Sequence, residues 1–181
     1  MKTYLVLLRG INVGGKNIVS MAALKKCLEG EGFEDVSTYI ASGNVILKSK
    51  KSPKQMQAQI EKLLPKKFKL HSELIKVLVL SRAQLQVVVS KKPKGFGGQP
   101  AKYHSDAVFM MDTTVAKAMT VFSPKEGVDR VWPGKGVIYS QRLSAKRTQS
   151  RLGKIVGTPA YKCMTIRSWN TTTKLLELMK K

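Results

Sequence analysis

Gly10-x-x-x-x-Gly15-Lys16 has the spacing of a phosphate loop, in which a strand leads through bare backbone N–H groups into a helix whose N-terminus faces the anion. The next position breaks the pattern. Asn17 stands where a Ser or Thr would hold magnesium, and the helix is expected to start only at Ser20, too late for its dipole to meet the phosphate. Asp112, after the apolar run 107–111, superficially matches a metal-binding aspartate, but a mostly antiparallel sheet lacks the parallel strand pair that nucleotide hydrolysis by this route needs. A weaker chemistry survives: the backbone of Gly14 and Gly15 can form an anion nest, with Arg9 and Lys16 adding charge. Beside it stands the simpler structural reading, in which Gly10, Gly14 and Gly15 only permit tight turns and Asn12 and Asn17 bond the loop's own backbone.

The second constellation is basic. From Arg130 to Lys174 the charged residues are Arg130, Lys135, Arg142, Lys146, Arg147, Arg151, Lys154, Lys162, Arg167 and Lys174, with no Asp or Glu between them. Arg147, Arg151 and Lys154 are spaced by four and three, which on a helix would align them as a row suited to phosphates. Trp132, Tyr139, Tyr161 and Trp169 share this stretch and would stack bases if exposed, although such side chains are more often core. No aromatic-basic pair on the central strands reproduces the RNA-binding fingerprint of ferredoxin-like domains.

Acid-base and metal chemistry are thinly supplied. The chain has two histidines, His71 and His104, and eleven scattered carboxylates. His104, Ser105 and Asp106 are consecutive, and neighbours on an extended chain point to opposite faces, so they cannot form a hydrolytic triad. Cys27 and Cys163 lack the spacing of a zinc knuckle or redox pair and are read as small buried hydrophobes. No catalytic residue, metal ligand or cofactor is expected.

Positioning elements follow from periodicity. Residues 4–8 form a continuous apolar run of the kind a doubly covered central strand shows. Ser20 is an N-cap before a helix with Met21, Leu24, Cys27 and Leu28 on one stripe. Residues 36–41 and 44–47 read as a hairpin closed by the two residues Ser42-Gly43. Ser52-Pro53 opens a second helix that Pro65 should end, and residues 74–80 supply a strand. Ser81 with Gln84 makes a capping box for a helix through Leu85, Val88 and Val89. A Gly/Pro/Lys-rich junction spans residues 91–102.

Beyond it, strand 107–111, a helix bearing Val115, Ala118, Met119 and Phe122, a hairpin of 128–132 with 137–140, a helix through Leu152, Ile155 and Val156, and strand 162–166 repeat the order of the first half. Ser168 caps a last helix. The fold class is therefore α+β: two tandem ferredoxin-like βαββαβ lobes, with mostly antiparallel sheets carrying helices on one face, plus a C-terminal helix. The expected division is a lobe at 1–80, a helix and linker at 81–104, and a lobe at 105–181. The helix-free face of each sheet is expected to be solvated or covered by a partner lobe.

Long motifs carry a family resemblance. Leu7-Leu8-Arg9-Gly10-Ile11-Asn12-Val13-Gly14-Gly15-Lys16-Asn17, Thr38-Tyr39-Ile40-Ala41-Ser42-Gly43-Asn44-Val45 and Arg167-Ser168-Trp169-Asn170-Thr171 resemble three signatures of a bacterial domain-of-unknown-function family, number 1697. The resemblance implies two tandem ferredoxin-like repeats and an unassigned biochemical role. Ser168 departs from it, since family members often carry asparagine there. No catalytic residue transfers.

Composition bounds the function. The chain of 181 residues carries 33 Lys and Arg against 11 Asp and Glu, a formal net charge of +22, which costs the folded state through self-repulsion and attracts polyanions. Its apolar runs are strand-sized, far short of the roughly 20 residues of a membrane span, and its first residues do not read as a secretory signal, so the expected location is the cytoplasm. The leading expectation is a non-catalytic binder of a polyanion such as nucleic acid, through Arg147, Arg151 and Lys154 and the loop of Arg9, Asn12, Gly14, Gly15 and Lys16. The rival is an enzyme or sensor for a small phosphorylated metabolite between the lobes, using Arg9, Asn12, Ser42, Asn44, Arg167 and Asn170. A structural or protein-interaction module is the third. Whether the chain is an oligomer is left open.

Overall fold

The apolar run at the start of the chain becomes the inner strand of a four-stranded sheet. The computed structural model describes residues 1–70 and 75–180 and divides into two units, Met1–Leu85 with Leu175–Lys181, and Gln86–Lys174. In the first, β1 (Lys2–Arg9), α1 (Met21–Gly30), β2 (Glu34–Tyr39), β3 (Asn44–Ser49), α2 (Pro53–Lys67) and β4 (Lys76–Ser81) give a sheet of order β2-β3-β1-β4. Every neighbouring pair is antiparallel. This is the expected ferredoxin-like order.

Alternation explains the core. Tyr4, Val6 and Leu8 of β1, with Val45, Leu47, Val77 and Val79, meet Leu24 and Leu28 of α1 and Met56, Ile60 and Leu64 of α2. Leu5 and Leu7 on the opposite face of β1 are also 0% exposed, so neither face of this strand is solvated, as an unbroken apolar run requires.

Caps at the expected residues fix the helix starts. Ser20 Oγ accepts from the Ala23 N–H at α1. At α2, Ser52 and Gln55 form a reciprocal capping box, and Pro53 takes the first helical position. Ser81 and Gln84 form the same box at α3 (Arg82–Ser90).

Two local expectations are corrected. The β2–β3 hairpin closes at Tyr39↔Asn44, so its loop is the four residues 40–43 and not Ser42-Gly43 alone. Asn44 Nδ2 donates to the Tyr39 carbonyl at 3.1 Å and to Ser42 Oγ at 2.8 Å, which stabilises the wider turn. Helix α2 also runs past Pro65 to Lys67. So near the helix end the proline forfeits a single backbone bond, and the Phe68 N–H still reaches the Leu64 carbonyl at 3.0 Å. The expected strand start at Leu74 lies outside the described residues.

The second unit repeats the topology with β5 (Tyr103–Met110), α4 (Val115–Met119), β6 (Asp129–Pro133), β7 (Val137–Leu143) and β8 (Met164–Ser168), followed by α5 (Trp169–Leu178). Its sheet order, β6-β7-β5-β8, is antiparallel throughout. One element departs. Where the duplication calls for a second helix, residues 144–163 form three short 3-10 segments, Ser144–Gln149, Leu152–Gly157 and Pro159–Cys163. A 3-10 turn holds three residues, so Leu152 and Ile155 share the inner face and both are buried, while Val156, expected on the same stripe, is 58% exposed. Gly153, Gly157 and Pro159 favour this broken path over a continuous helix. Among the described residues no helix is long and apolar enough to cross a membrane.

Candidate functional site

The glycine-rich motif folds as a miniature hairpin. Gly14 and Gly15 both have positive φ, +57° and +72°, and the Lys16 N–H closes on the Val13 carbonyl at 3.0 Å, which defines a type I′ turn. The base is pinned from inside: the Asn12 N–H reaches the Asn17 carbonyl at 3.0 Å, and Asn17 Nδ2 donates to the Gly10 carbonyl at 2.7 Å. No helix begins here; α1 starts at Met21, four residues after Asn17, so the loop is no phosphate loop. Asn12 and Asn17 bond backbone as the structural reading expected.

Asn12 also joins this hairpin to the second motif. Its Nδ2 donates to the carbonyls of Val19 (2.9 Å) and Ala41 (3.0 Å), and its Oδ1 accepts from the Val19 N–H at 2.7 Å. Gly43 completes the lock: the Leu8 N–H bonds its carbonyl at 2.8 Å, and a Cβ at Gly43 would lie 2.9 Å from Leu8 Cβ. Ser42 and Asn44 bond each other across this turn. Next to them Ile40 holds φ +48° while 52% exposed. A β-branched residue in the left-handed region is strained, and exposure returns nothing for it. Ile40→Asn, with a side chain that tolerates this conformation, is expected to raise the unfolding free energy by about 1 kcal/mol, read from a urea midpoint at unchanged slope.

The third motif is a core element. Trp169 is buried with its ring 5.0 Å edge-on from Phe96 and 6.2 Å from Tyr139, and Phe96 also meets Trp132 at 5.9 Å. Gly97 lies so close that a Cβ there would sit 2.2 Å from the indole. Tyr139 donates its hydroxyl to the Val88 carbonyl at 2.7 Å. Tyr139 and Trp169 are thus core and give no stacking platform. Arg167 belongs inside as well: its Nη1 donates to Thr165 Oγ1 (2.9 Å) and the Ile166 carbonyl (2.8 Å), and burial lowers its pKa to about 10. Ser168 caps α5, with its Oγ accepting from the Thr171 N–H at 3.2 Å.

The basic residues mostly face water. Arg130, Lys135, Lys146, Arg147, Arg151, Lys154, Lys162 and Lys174 are exposed, whereas Arg142 is half-buried and Arg167 buried. The expected helical row of Arg147, Arg151 and Lys154 does not form. Lys146 has non-helical φ/ψ of −115° and 26°, and Arg151 lies between two 3-10 segments, so the three cations sit on successive short turns. Among the described residues no carboxylate lies within ion-pair reach of Lys146, Arg147, Arg151, Lys154 or Lys162.

Asp129 anchors this strap. Its Oδ2 accepts from the N–H groups of Arg151 (2.8 Å) and Lys125 (3.0 Å). Burial pushes the carboxyl up, but those two N–H groups, the Ser150 hydroxyl and the Arg142 charge outweigh it and hold the pKa below the usual value. A depressed carboxyl contributes stability that is complete above its unfolded pKa and lost as pH falls through the folded one. The expected result is an acid limb of stability below about pH 4, which Asp129→Asn removes in urea titrations between pH 2 and 7.

One cleft of about 230 Å³ is lined by Tyr103, His104, Ser105, Ser168, Trp169 and Asn170 among others. It opens where β8 stops at the pair Asp106↔Ser168, beside residues 103–105 of β5. His104 Nε2 lies 3.1 Å from Asp106 Oδ1, on one face, while Ser105 on the other accepts from Gln141 Nε2 at 3.0 Å. The three therefore form no triad, as the strand alternation required. Burial raises the Asp106 carboxyl, with His104 and Arg142 pulling it partly back. Cys27 and Cys163 are both half-buried; burial raises the Cys27 thiol pKa, with Lys67 opposing and Glu31 adding. Among the described residues no group of three or more His, Cys, Asp or Glu is placed to hold a metal.

Residues 1–139 match the family described as Protein of unknown function (DUF1697). The chain belongs to DUF1697. Its first two motifs lie within the DUF1697 match, and Arg167-Ser168-Trp169-Asn170-Thr171 lies beyond it. A solved structure described as a conserved bacterial protein from Streptococcus pneumoniae is similar over 100% of this chain and 99% of its own, at 26% identity and a TM-score of 0.84. No curated protein matches the chain.

In this DUF1697 chain the motif residues Asn12, Asn17, Gly43, Asn44 and Trp169 each have a hydrogen bond or close contact that explains their type. Sequence reasoning missed Asp129, whose carboxylate seats the basic strap, while Arg142, counted there among the basic residues, acts on that carboxylate through its charge. The available signal was position: Asp129 is the last acid before a stretch of 47 residues, 130–176, without one.

Proposed function

We propose that the protein is a non-catalytic binder of a polyanion, with nucleic acid as the first candidate, through the exposed cations of residues 144–163. The supporting observation is the strap itself: Lys146, Arg147, Arg151, Lys154 and Lys162 are solvent-facing and unpaired by carboxylates. Such cations gain binding free energy by releasing counterions from a phosphate backbone. With Tyr139 and Trp169 in the core and Trp132 and Tyr161 half-buried, the contact is chiefly to phosphates, so little sequence preference is expected.

The test is fluorescence anisotropy with labelled duplex DNA, duplex RNA and single-stranded RNA at several salt concentrations. With four or five phosphates contacted, affinity should fall about 10²-fold between 50 and 200 mM salt, with little dependence on sequence. Absence of binding at 50 mM salt, or affinity indifferent to salt, ends this reading.

A further inference from the structure

Exposed large aliphatic side chains are few and unevenly placed. Among the described residues they are Met1, Val13, Ile18, Ile40 and Val156, and three of the five belong to the two loops that Asn12 ties together. Val13 is 66% exposed at the turn of the small hairpin, Ile18 67% exposed beside Val19, and Ile40 52% exposed beside Ala41. Val19 and Ala41 are the residues whose carbonyls share the Asn12 amide, so the three aliphatic groups ride on one hydrogen-bonded frame.

The frame is stiff before any partner arrives. A type I′ turn, two asparagine locks and the close Gly43–Leu8 approach hold it, and rigid presentation lowers the ordering cost of docking. The strained φ of Ile40 gains nothing for the fold. Charge selects the occupant. Residues 1–28 and 36–60 contain no Asp or Glu, and the tip carries exposed Lys16. A second copy of a chain with net charge +22 is repelled, and a phosphate backbone offers aliphatic groups nothing to cover.

We propose that Val13, Ile18 and Ile40 with Lys16 form a docking surface for an acidic protein segment with an apolar centre, sharing no residue with the basic strap. The probe is a displayed library of random 12-residue peptides, selected against the full chain at 150 mM salt. Enriched peptides are expected to carry Asp or Glu around an aliphatic or aromatic residue. They should bind Ile18→Ser and Ile40→Asn at least tenfold more weakly than the parent chain, and bind a Lys146→Gln, Arg147→Gln, Arg151→Gln, Lys154→Gln variant unchanged. Ile40→Asn keeps the fold, verified by circular dichroism, so weaker binding is read at the surface.

Peptides without the acidic-apolar pattern, or affinities equal across Ile18→Ser, Ile40→Asn and the parent, overturn the proposal. So does a loss confined to vesicles of phosphatidylglycerol and phosphatidylcholine, which would assign the three side chains to a lipid surface. A failure of nucleic-acid binding at the strap leaves these readouts untouched.

Discussion

Replacing Trp169 with alanine is expected to lower the unfolding free energy by about 3–5 kcal/mol, the range for large buried aromatics. The reasons are cumulative. The indole is 7% exposed, is met edge-on by Phe96 and Tyr139 at 5.0 and 6.2 Å, and lies directly beneath Gly97. The gap cannot close cheaply, because Tyr139 is tethered through its hydroxyl to the Val88 carbonyl and Gly97 holds a φ of +70°. Urea unfolding at neutral pH should show the midpoint falling at unchanged slope. Trp169→Phe, which keeps an aromatic partner for Phe96, should recover more than half of the loss. A loss below about 1 kcal/mol for alanine would mean that the aromatic cluster is not a keystone of its unit.

The second large effect concerns the strap. Changing Lys146, Arg147, Arg151 and Lys154 together to glutamine should lower nucleic-acid affinity on the order of 10³-fold at 0.1 M salt and reduce the log–log salt slope by about 3 to 4. Fold stability should change little. The four side chains are exposed, and the interactions that seat the strap come from buried Leu152 and Ile155 and from backbone N–H groups at Asp129. Anisotropy titrations and thermal unfolding on the same samples separate the two quantities. An unchanged slope would remove the strap from the binding surface, whatever the affinity.

Much of the fold was legible because several local signals agreed at each element. The continuous apolar run of β1, the capping serines at 20, 52, 81 and 168, and the strand order of both halves all appear where the sequence placed them. The misses trace to particular residues. Leu152, Ile155 and Val156 fit a helical stripe, yet a pattern of three residues cannot separate a 3.6 period from a period of three, and the glycines at 153 and 157 decided the matter. The hairpin at residues 40–43 was drawn too tight because Ile40 is a residue type that seldom accepts positive φ. For the candidate site, residue types were informative about loop chemistry: Asn12 and Asn17 do bond backbone. They were silent about inside and outside, which is why Arg167 counted with the surface cations. A lone arginine among basic neighbours gives no hint that its guanidinium will satisfy Thr165 and a main-chain carbonyl instead.

The 3-10 path of residues 144–163 has a consequence for exchange with solvent. Its amides close isolated three-residue turns, such as Lys154 N–H to Arg151 and Thr158 N–H to Ile155, and no long ladder backs them up. Such turns can open one at a time while β5 and β7 stay paired. In heavy water this stretch should take up deuterium well before the sheet beneath it. A surface that loosens locally can adjust the spacing of its charges without unfolding its support, a latitude that the proposed polyanion binding would use.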